Sequence, residues 1–199
     1  KRELREQKPA AVEKALDNWV ARFNSDDPRL AHHQLEAVWT YRSIDKSRPG
    51  LLRKLLGSGN QKARAAATQQ LRYWHGEFPD AIKLLNKLAN DENSIVRMEA
   101  VIAASYIGSK AALDAVMDVF QHPIGGHLAY AAGCALGSST LARHTAGNKA
   151  YDISGLVKKA RSVSRFREPK TSARQAQFDT QRDLKLVKIS CKPEVMKFT

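Results

Sequence analysis

Cysteine is scarce in this sequence: Cys134 and Cys191 are the only two, and neither sits in a CxxC or CxxCH context. That excludes a disulfide framework, a zinc ribbon and covalent c-type haem attachment within the stretch. The two sulfurs read as unrelated thiols, one of them packed as a small apolar residue. Long hydrophobic runs are also missing, since nothing approaches the roughly 18 apolar residues that a membrane span requires. The N-terminal KRELREQKPA has no Met, no apolar h-region and no small-residue cleavage site. The chain is therefore expected to derive from a longer precursor or a longer gene. Walker A, GxSxG, GxGxxG and HExxH motifs are absent as well.

What is present fits a soluble globular composition, with 43% hydrophobic and 27% charged residues. The net charge of +13 is unevenly spread. Residues 1–140 hold 19 Lys/Arg and 15 Asp/Glu, whereas residues 141–199 hold 14 and 5. The excess is densest in KKARSVSRFREPKTSAR, residues 158–174. Its candidate basic patch is Lys158, Lys159, Arg161, Arg165, Arg167, Lys170 and Arg174. Such a run is most simply a solvated linker, and the lone Phe166 within it is poor provision for base stacking.

A repeat organises the first two thirds. HHQLEAVWTYRSI (32–44), ARAAATQQLRYWH (63–75) and VRMEAVIAASYIG (96–108) align at a period of 30–33 residues, with Ala37 30 before Ala67 and Ala67 33 before Ala100. Each follows a polar break (NSDDPRL, GSGNQK, NDENS) and precedes a second amphipathic stretch (PGLLRKLLGS, FPDAIKLLNKLAN, SKAALDAVMDVFQHP). The unit is helix A, turn, helix B, turn, with small residues in helix A allowing close approach. Asp80 and Ser109 stand where N-caps start B helices, and Asp91 and Ser94 precede an A helix. AAVEKALDNWVARF (10–23) reads as the B helix of an earlier unit and GHLAYAAGCALG (126–137) as a fourth A helix. A hairpin of this kind buries its apolar face only by stacking on neighbours. The expected fold is all-α, a HEAT-like α-α superhelix of short hairpins over 1–137. A terminal helix and basic linker follow over 138–181, with SSTLARHT read as loop. A β-strand segment occupies 182–199, where DLKLVKIS alternates like a half-buried strand.

Three consecutive stretches carry a family resemblance: DPRLAHHQLEAVWTY (27–41), LLRKLLGSGNQKARAAATQQLRYWHGEFPDAIKLL (51–85) and DENSIVRMEAVIAASYI (91–107). They resemble the HEAT-repeat segment of PVC-type haem-binding proteins, also described as planctomycete-type membrane-bound dehydrogenases. The tail looks like the first strand of an azurin- or plastocyanin-like cupredoxin, with copper ligands expected beyond Thr199. HPIGGHLAY departs from the family pattern through its Gly pair. The resemblance implies an exported, periplasmic multidomain redox protein combining dehydrogenase, cytochrome c and cupredoxin parts. Haem c and copper would then belong to flanking domains of the parent, with no cofactor or metal in this segment. Partners would be other domains of the same polypeptide or a redox partner protein.

Other constellations have plainer readings. His75-Gly-Glu77 has the HxE spacing of zinc deaminases but lacks the following PCxxC, and so reads as a helix end. His32 and His33 point to different helix faces, and His122, His127 and His144 read as loop histidines. Paired carboxylates such as Asp26–Asp27 and Asp91–Glu92 fall in turns. No acid, base and pocket are assembled, so the segment is expected to be non-catalytic. Large aromatics at repeat-related places read first as core. The candidate interaction surface is Trp39, Tyr41, Arg42, Arg72, Tyr73 and Trp74, because aromatics and Arg are the residues on which binding energy concentrates. The competing functional class is a basic HEAT-like DNA-binding protein of the alkylpurine DNA glycosylase type. The near-balanced charge of the helical body makes nucleic acid the less expected partner.

Overall fold

Helix follows helix with short turns throughout the computed structural model, which describes residues 7–145. Nine α-helices run through it: α1 Pro9–Val20, α2 Leu30–Ser43, α3 Pro49–Leu56, α4 Gln61–Trp74, α5 Ala81–Ala89, α6 Ser94–Ile107, α7 Lys110–Asp118, α8 Gly126–Gly137 and α9 Ser139–Thr145. Single 3₁₀ turns follow α4 (His75–Glu77) and α7 (Val119–Gln121). There is no strand among the described residues. The expected all-α hairpin architecture is observed. The terminal strand, the basic stretch 158–174 and Cys191 lie outside the described residues.

The chain divides after Ala81 into two compact units. In unit 1, α2 packs on α1, α3 and α4, and α3 packs on α4. Its core is Leu35, Val38 and Tyr41 from α2, Leu52, Leu55 and Leu56 from α3, and Ala63, Ala67 and Leu71 from α4. In unit 2, α6 packs on α7, α8 and α9, with Val96, Ala100, Val101, Leu113, Val116, Leu128, Ala132 and Leu141 buried. The alanines on α6 and α8 are the small residues that let these two helices approach closely.

Two of the A helices, α4 and α6, start by one recurring device. The Asn60 side chain accepts hydrogen bonds from the backbone N–H of Lys62 and Ala63, and Asn93 does the same for Ile95 and Val96. Four residues after each cap, an arginine reaches back to the preceding turn. Arg64 donates to the carbonyls of Ser58 and Gly59 at 2.9 and 3.3 Å. Arg97 donates to those of Asp91 and Glu92 at 2.7 and 3.0 Å. Cap and arginine together satisfy backbone groups at a helix start and at the turn before it. Asn93 thus caps α6 in place of the expected Asp91 or Ser94, while Asp91 accepts from the Asn93 N–H in the turn. Ser109 caps α7 through the Ala112 N–H, as its position suggests.

SSTLARHT is helical rather than a loop. Leu141 is fully buried, the Thr140 hydroxyl donates to the Ser105 carbonyl at 2.6 Å, and Arg143 donates to the Gly108 carbonyl at 2.9 Å. These contacts with the end of α6 supply the stability that the Ser/Thr-rich sequence lacks by propensity. Gly108 itself ends α6 in the left-handed region at φ 64°.

Candidate interaction surface

Arg42, Tyr73 and Tyr106 lie near the ends of the three A-helix segments, and all three are exposed. In unit 1 the first two meet. Arg42, near the end of α2, lays its guanidinium over the Tyr73 ring at 3.4 Å from the centroid. Arg72 approaches the same ring at 5.9 Å. Tyr73 remains 44% exposed beneath this contact. A cation over a tyrosine face at an exposed site contributes about 0.5–1 kcal/mol, enough to bias the arginine towards this place. Trp39, one turn before Arg42 on the same helix, is half-buried.

Tyr41 and Trp74 do not belong to this surface. Tyr41 is 1% exposed and Trp74 is buried, so both are core residues. One position along a helix rotates a side chain by about 100°, and adjacent residues such as Tyr73 and Trp74 therefore face different ways. The surface reduces to Trp39, Arg42, Arg72 and Tyr73. Its one legible signal was the shared register of Tyr73 and Tyr106, 33 residues apart, which adjacency in sequence obscured.

Buried Tyr41 anchors a different cluster. Its hydroxyl donates to Asp17 on α1 at 2.6 Å. Arg48 donates to the same carboxylate at 3.0 Å and to Glu13 at 2.8 Å, while Lys46 pairs with Glu13 at 3.2 Å. Burial, reinforced by the Asp17 carboxylate, pushes the Tyr41 hydroxyl up to about 12. The hydrogen bond from Tyr41, followed by that from Arg48, holds Asp17 below its ordinary value. Arg48 and Lys46 do the same for Glu13. A pocket of about 200 Å³ opens beside this cluster, lined by Asp17, Val20, Tyr41, Arg48, Pro49, Gly50 and Leu51. That is below the roughly 300 Å³ at which small-molecule sites begin, and its charged groups are already paired. The cluster is a fastening for α1.

Several other cations of unit 1 are engaged, while Lys8, Lys14, Arg22, Lys54 and Lys62 are exposed. Arg53 grips Asp80 through both terminal nitrogens at 2.6 and 2.9 Å and lies over Phe78, and Arg29 lies 3.7 Å from Asp27. Arg42 is exposed and makes no ion pair with any carboxylate among the described residues.

Unit 2 presents a different A-helix surface. Ile95 and Tyr106 on α6 are 55% and 51% exposed, and Tyr130 on α8 is 47% exposed. Met98 and Ile102 lie between them on α6, and Cys134 is exposed one turn after Tyr130. The exposures of Ile95 and Tyr130 were not foreseen, because an apolar residue on a helical period reads as core.

The histidines sit apart from any catalytic arrangement. His75 Nδ1 bonds the Arg72 carbonyl at 3.0 Å at the end of α4, and His122 Nε2 meets Asn90 Oδ1 at 2.7 Å. His33 lies 3.4 Å from Asp27. Among the described residues no three His, Cys, Asp or Glu side chains converge as a metal site, and no helix is long and apolar enough to cross a membrane.

No curated protein and no solved structure matches the chain. Residues 48–137, from the α2–α3 turn to the end of α8, match the family model described as HEAT repeats. Over that segment the chain is similar to HEAT repeats, in agreement with its helical-hairpin architecture.

Proposed function

We propose that the chain is the non-catalytic scaffold and interaction segment of a larger, exported redox protein. The observation that carries this reading is the resemblance to the repeat segment of PVC-type haem-binding proteins. It runs through DPRLAHHQLEAVWTY, LLRKLLGSGNQKARAAATQQLRYWHGEFPDAIKLL and DENSIVRMEAVIAASYI, and much of it falls within the HEAT-repeat match. The repeats would space a dehydrogenase-like domain and electron-carrier domains, with haem c and copper bound in those domains. Partners are those domains or a separate redox protein, in the periplasm. Binding through the half-buried Trp39 and the exposed Arg42 and Tyr73 suits this role, because these are the residue types on which interface energy concentrates.

The test is to sequence the gene across both ends of this stretch. The reading expects a frame continuing past Thr199 into a His…Cys…His…Met copper cluster, with a CxxCH elsewhere. A stop codon directly after Thr199, in a frame without CxxCH, contradicts it.

A further inference from the structure

We propose that the Arg42–Tyr73 platform on α2 and α4 receives an acidic peptide segment, with a partner carboxylate bound by the Arg42 guanidinium. This deepens the interaction-module reading and rests on it. Three observations on unit 1 point the same way.

The first is that Arg42 is charged, exposed and without a carboxylate among the described residues, in a unit whose other arginines are mostly engaged. An arginine always carries its charge and presents paired donors that match a carboxylate. The second is preorganisation. Contact with the Tyr73 ring at 3.4 Å restricts the guanidinium before any partner arrives, so less side-chain freedom is lost on binding. The third is charge balance. Residues 7–81 contain 12 Lys/Arg and eight Asp/Glu, a net +4, whereas residues 82–145 contain five of each. Electrostatic complementarity therefore selects for an acidic partner on unit 1 and gives no such selection on unit 2.

An acidic peptide suits the site better than a nucleic acid. A phosphate backbone rewards a row of unpaired cations spaced along a groove. In unit 1, Arg29, Lys46, Arg48 and Arg53 are instead paired with carboxylates, and Arg64 with carbonyls. What remains around Tyr73 is a short focus flanked by Trp39, suited to one or two acidic side chains with an apolar neighbour.

The experiment measures fluorescence anisotropy of a labelled glutamate-rich peptide containing leucine, titrated with the full 199-residue chain at low salt. Wild type is expected to bind, Arg42→Ala to weaken binding about tenfold or more, and Arg42→Lys to recover part of the loss. Tyr73→Phe keeps the stacking ring and is expected to bind like wild type. Arg22→Ala removes an exposed charge elsewhere in unit 1 and is expected to leave affinity unchanged. Circular dichroism checks that each variant is folded.

Equal weakening by Arg22→Ala and Arg42→Ala would mean diffuse charge and overturn the proposal. So would loss of binding only when Lys158, Lys159 and Arg161 are changed to Gln. Tighter, Arg42-dependent binding of duplex DNA would overturn the peptide assignment. If the peptide does not bind while the chain still associates with the other domains of its parent, this inference falls and the scaffold reading stands. A gene without redox domains would remove that reading and leave the peptide result untouched.

Discussion

Both units tie an arginine to the carbonyls of the preceding turn, Arg64 in unit 1 and Arg97 in unit 2, but unit 1 adds ion pairs between its helices while unit 2 buries its arginine. In unit 1, α1 is held by Glu13 and Asp17 against Arg48, Lys46 and Tyr41, and Asp80 is held by Arg53. In unit 2, Arg97 is 5% exposed and divides its guanidinium among the carbonyls of Asp91, Glu92 and Pro123. Burial lowers its pKa from the ordinary arginine value; the carbonyls engage both terminal nitrogens, while the buried Nε has no hydrogen-bond partner. The surfaces differ in parallel, a cation on tyrosine in unit 1 and isoleucine with tyrosine in unit 2. One repeat framework thus tolerates two kinds of cement, because the hairpin needs only satisfied turns and a packed apolar face. What a repeat offers to a partner is left to the register positions that stacking does not use.

The largest expected effect breaks unit 2. A Cβ added at Gly108 would lie 2.9 Å from Thr140 Cβ, at a φ of 64° that L side chains rarely adopt. Gly108→Ala should destabilise by roughly 2 kcal/mol or more from left-handed strain and crowding. All three tryptophans lie in unit 1, at positions 19, 39 and 74. Tryptophan emission therefore reports that unit while circular dichroism reports both. The helical signal of Gly108→Ala should begin to melt at lower temperature, with tryptophan emission shifting less. Coincident shifts of equal size would contradict the separation into two units.

Arg97→Ala is next. It strips three buried or half-buried carbonyls of their donor and should cost about 1–3 kcal/mol, read as a lower denaturant midpoint. The loss should change less with salt than that of an ion pair, because the hydrogen-bond acceptors are neutral, although the Asp91 carboxylate adds a charge interaction. By contrast, a stability loss from Arg48→Ala should shrink as salt rises, since it removes partly exposed ion pairs. Equal salt dependence in the two variants would erase the contrast between the cements.

A change in the opposite direction sharpens it. Gln70 on α4 is 1% exposed, and neither atom of its amide has a hydrogen-bond partner. Gln70→Leu removes that unsatisfied group at similar volume and should stabilise unit 1 by about 1 kcal/mol. A lower melting temperature by tryptophan emission would contradict this.

The smallest effect is the pH response of the α1 fastening. Glu13 and Asp17 have pKa values held below their ordinary 4.5 and 3.8. Their contribution is therefore full above those values and is lost as pH falls through the lowered ones. Tyr41 acts in reverse: its stabilisation is full below 10.0 and is lost as pH rises towards about 12. Emission from Trp19 on α1 should change at both ends, and Arg48→Ala should weaken the acid transition. An acid response unaltered by Arg48→Ala would remove the fastening role.

The helices and their pairing were legible in the sequence because small and apolar residues recur at fixed register. α8 was anticipated at its observed bounds, 126–137. α9 was not, because its helix depends on Thr140, Leu141 and Arg143 meeting the end of α6, and a local reading contains no such contact. The candidate surface was half legible. Residue type selected Trp39, Arg42, Arg72 and Tyr73, but also the buried Tyr41 and Trp74, since an aromatic suits a core as well as an interface. Comparison of register across the three segments separates these cases, and adjacency in the chain does not.

The most direct test of the account is amide chemical-shift mapping of the isotope-labelled chain during titration with the glutamate-rich peptide. The account predicts perturbations concentrated on α2 and α4 around Trp39, Arg42, Arg72 and Tyr73, abolished in Arg42→Ala. Perturbations centred on residues 158–174, or on the Ile95, Tyr106 and Tyr130 surface of unit 2, would contradict it.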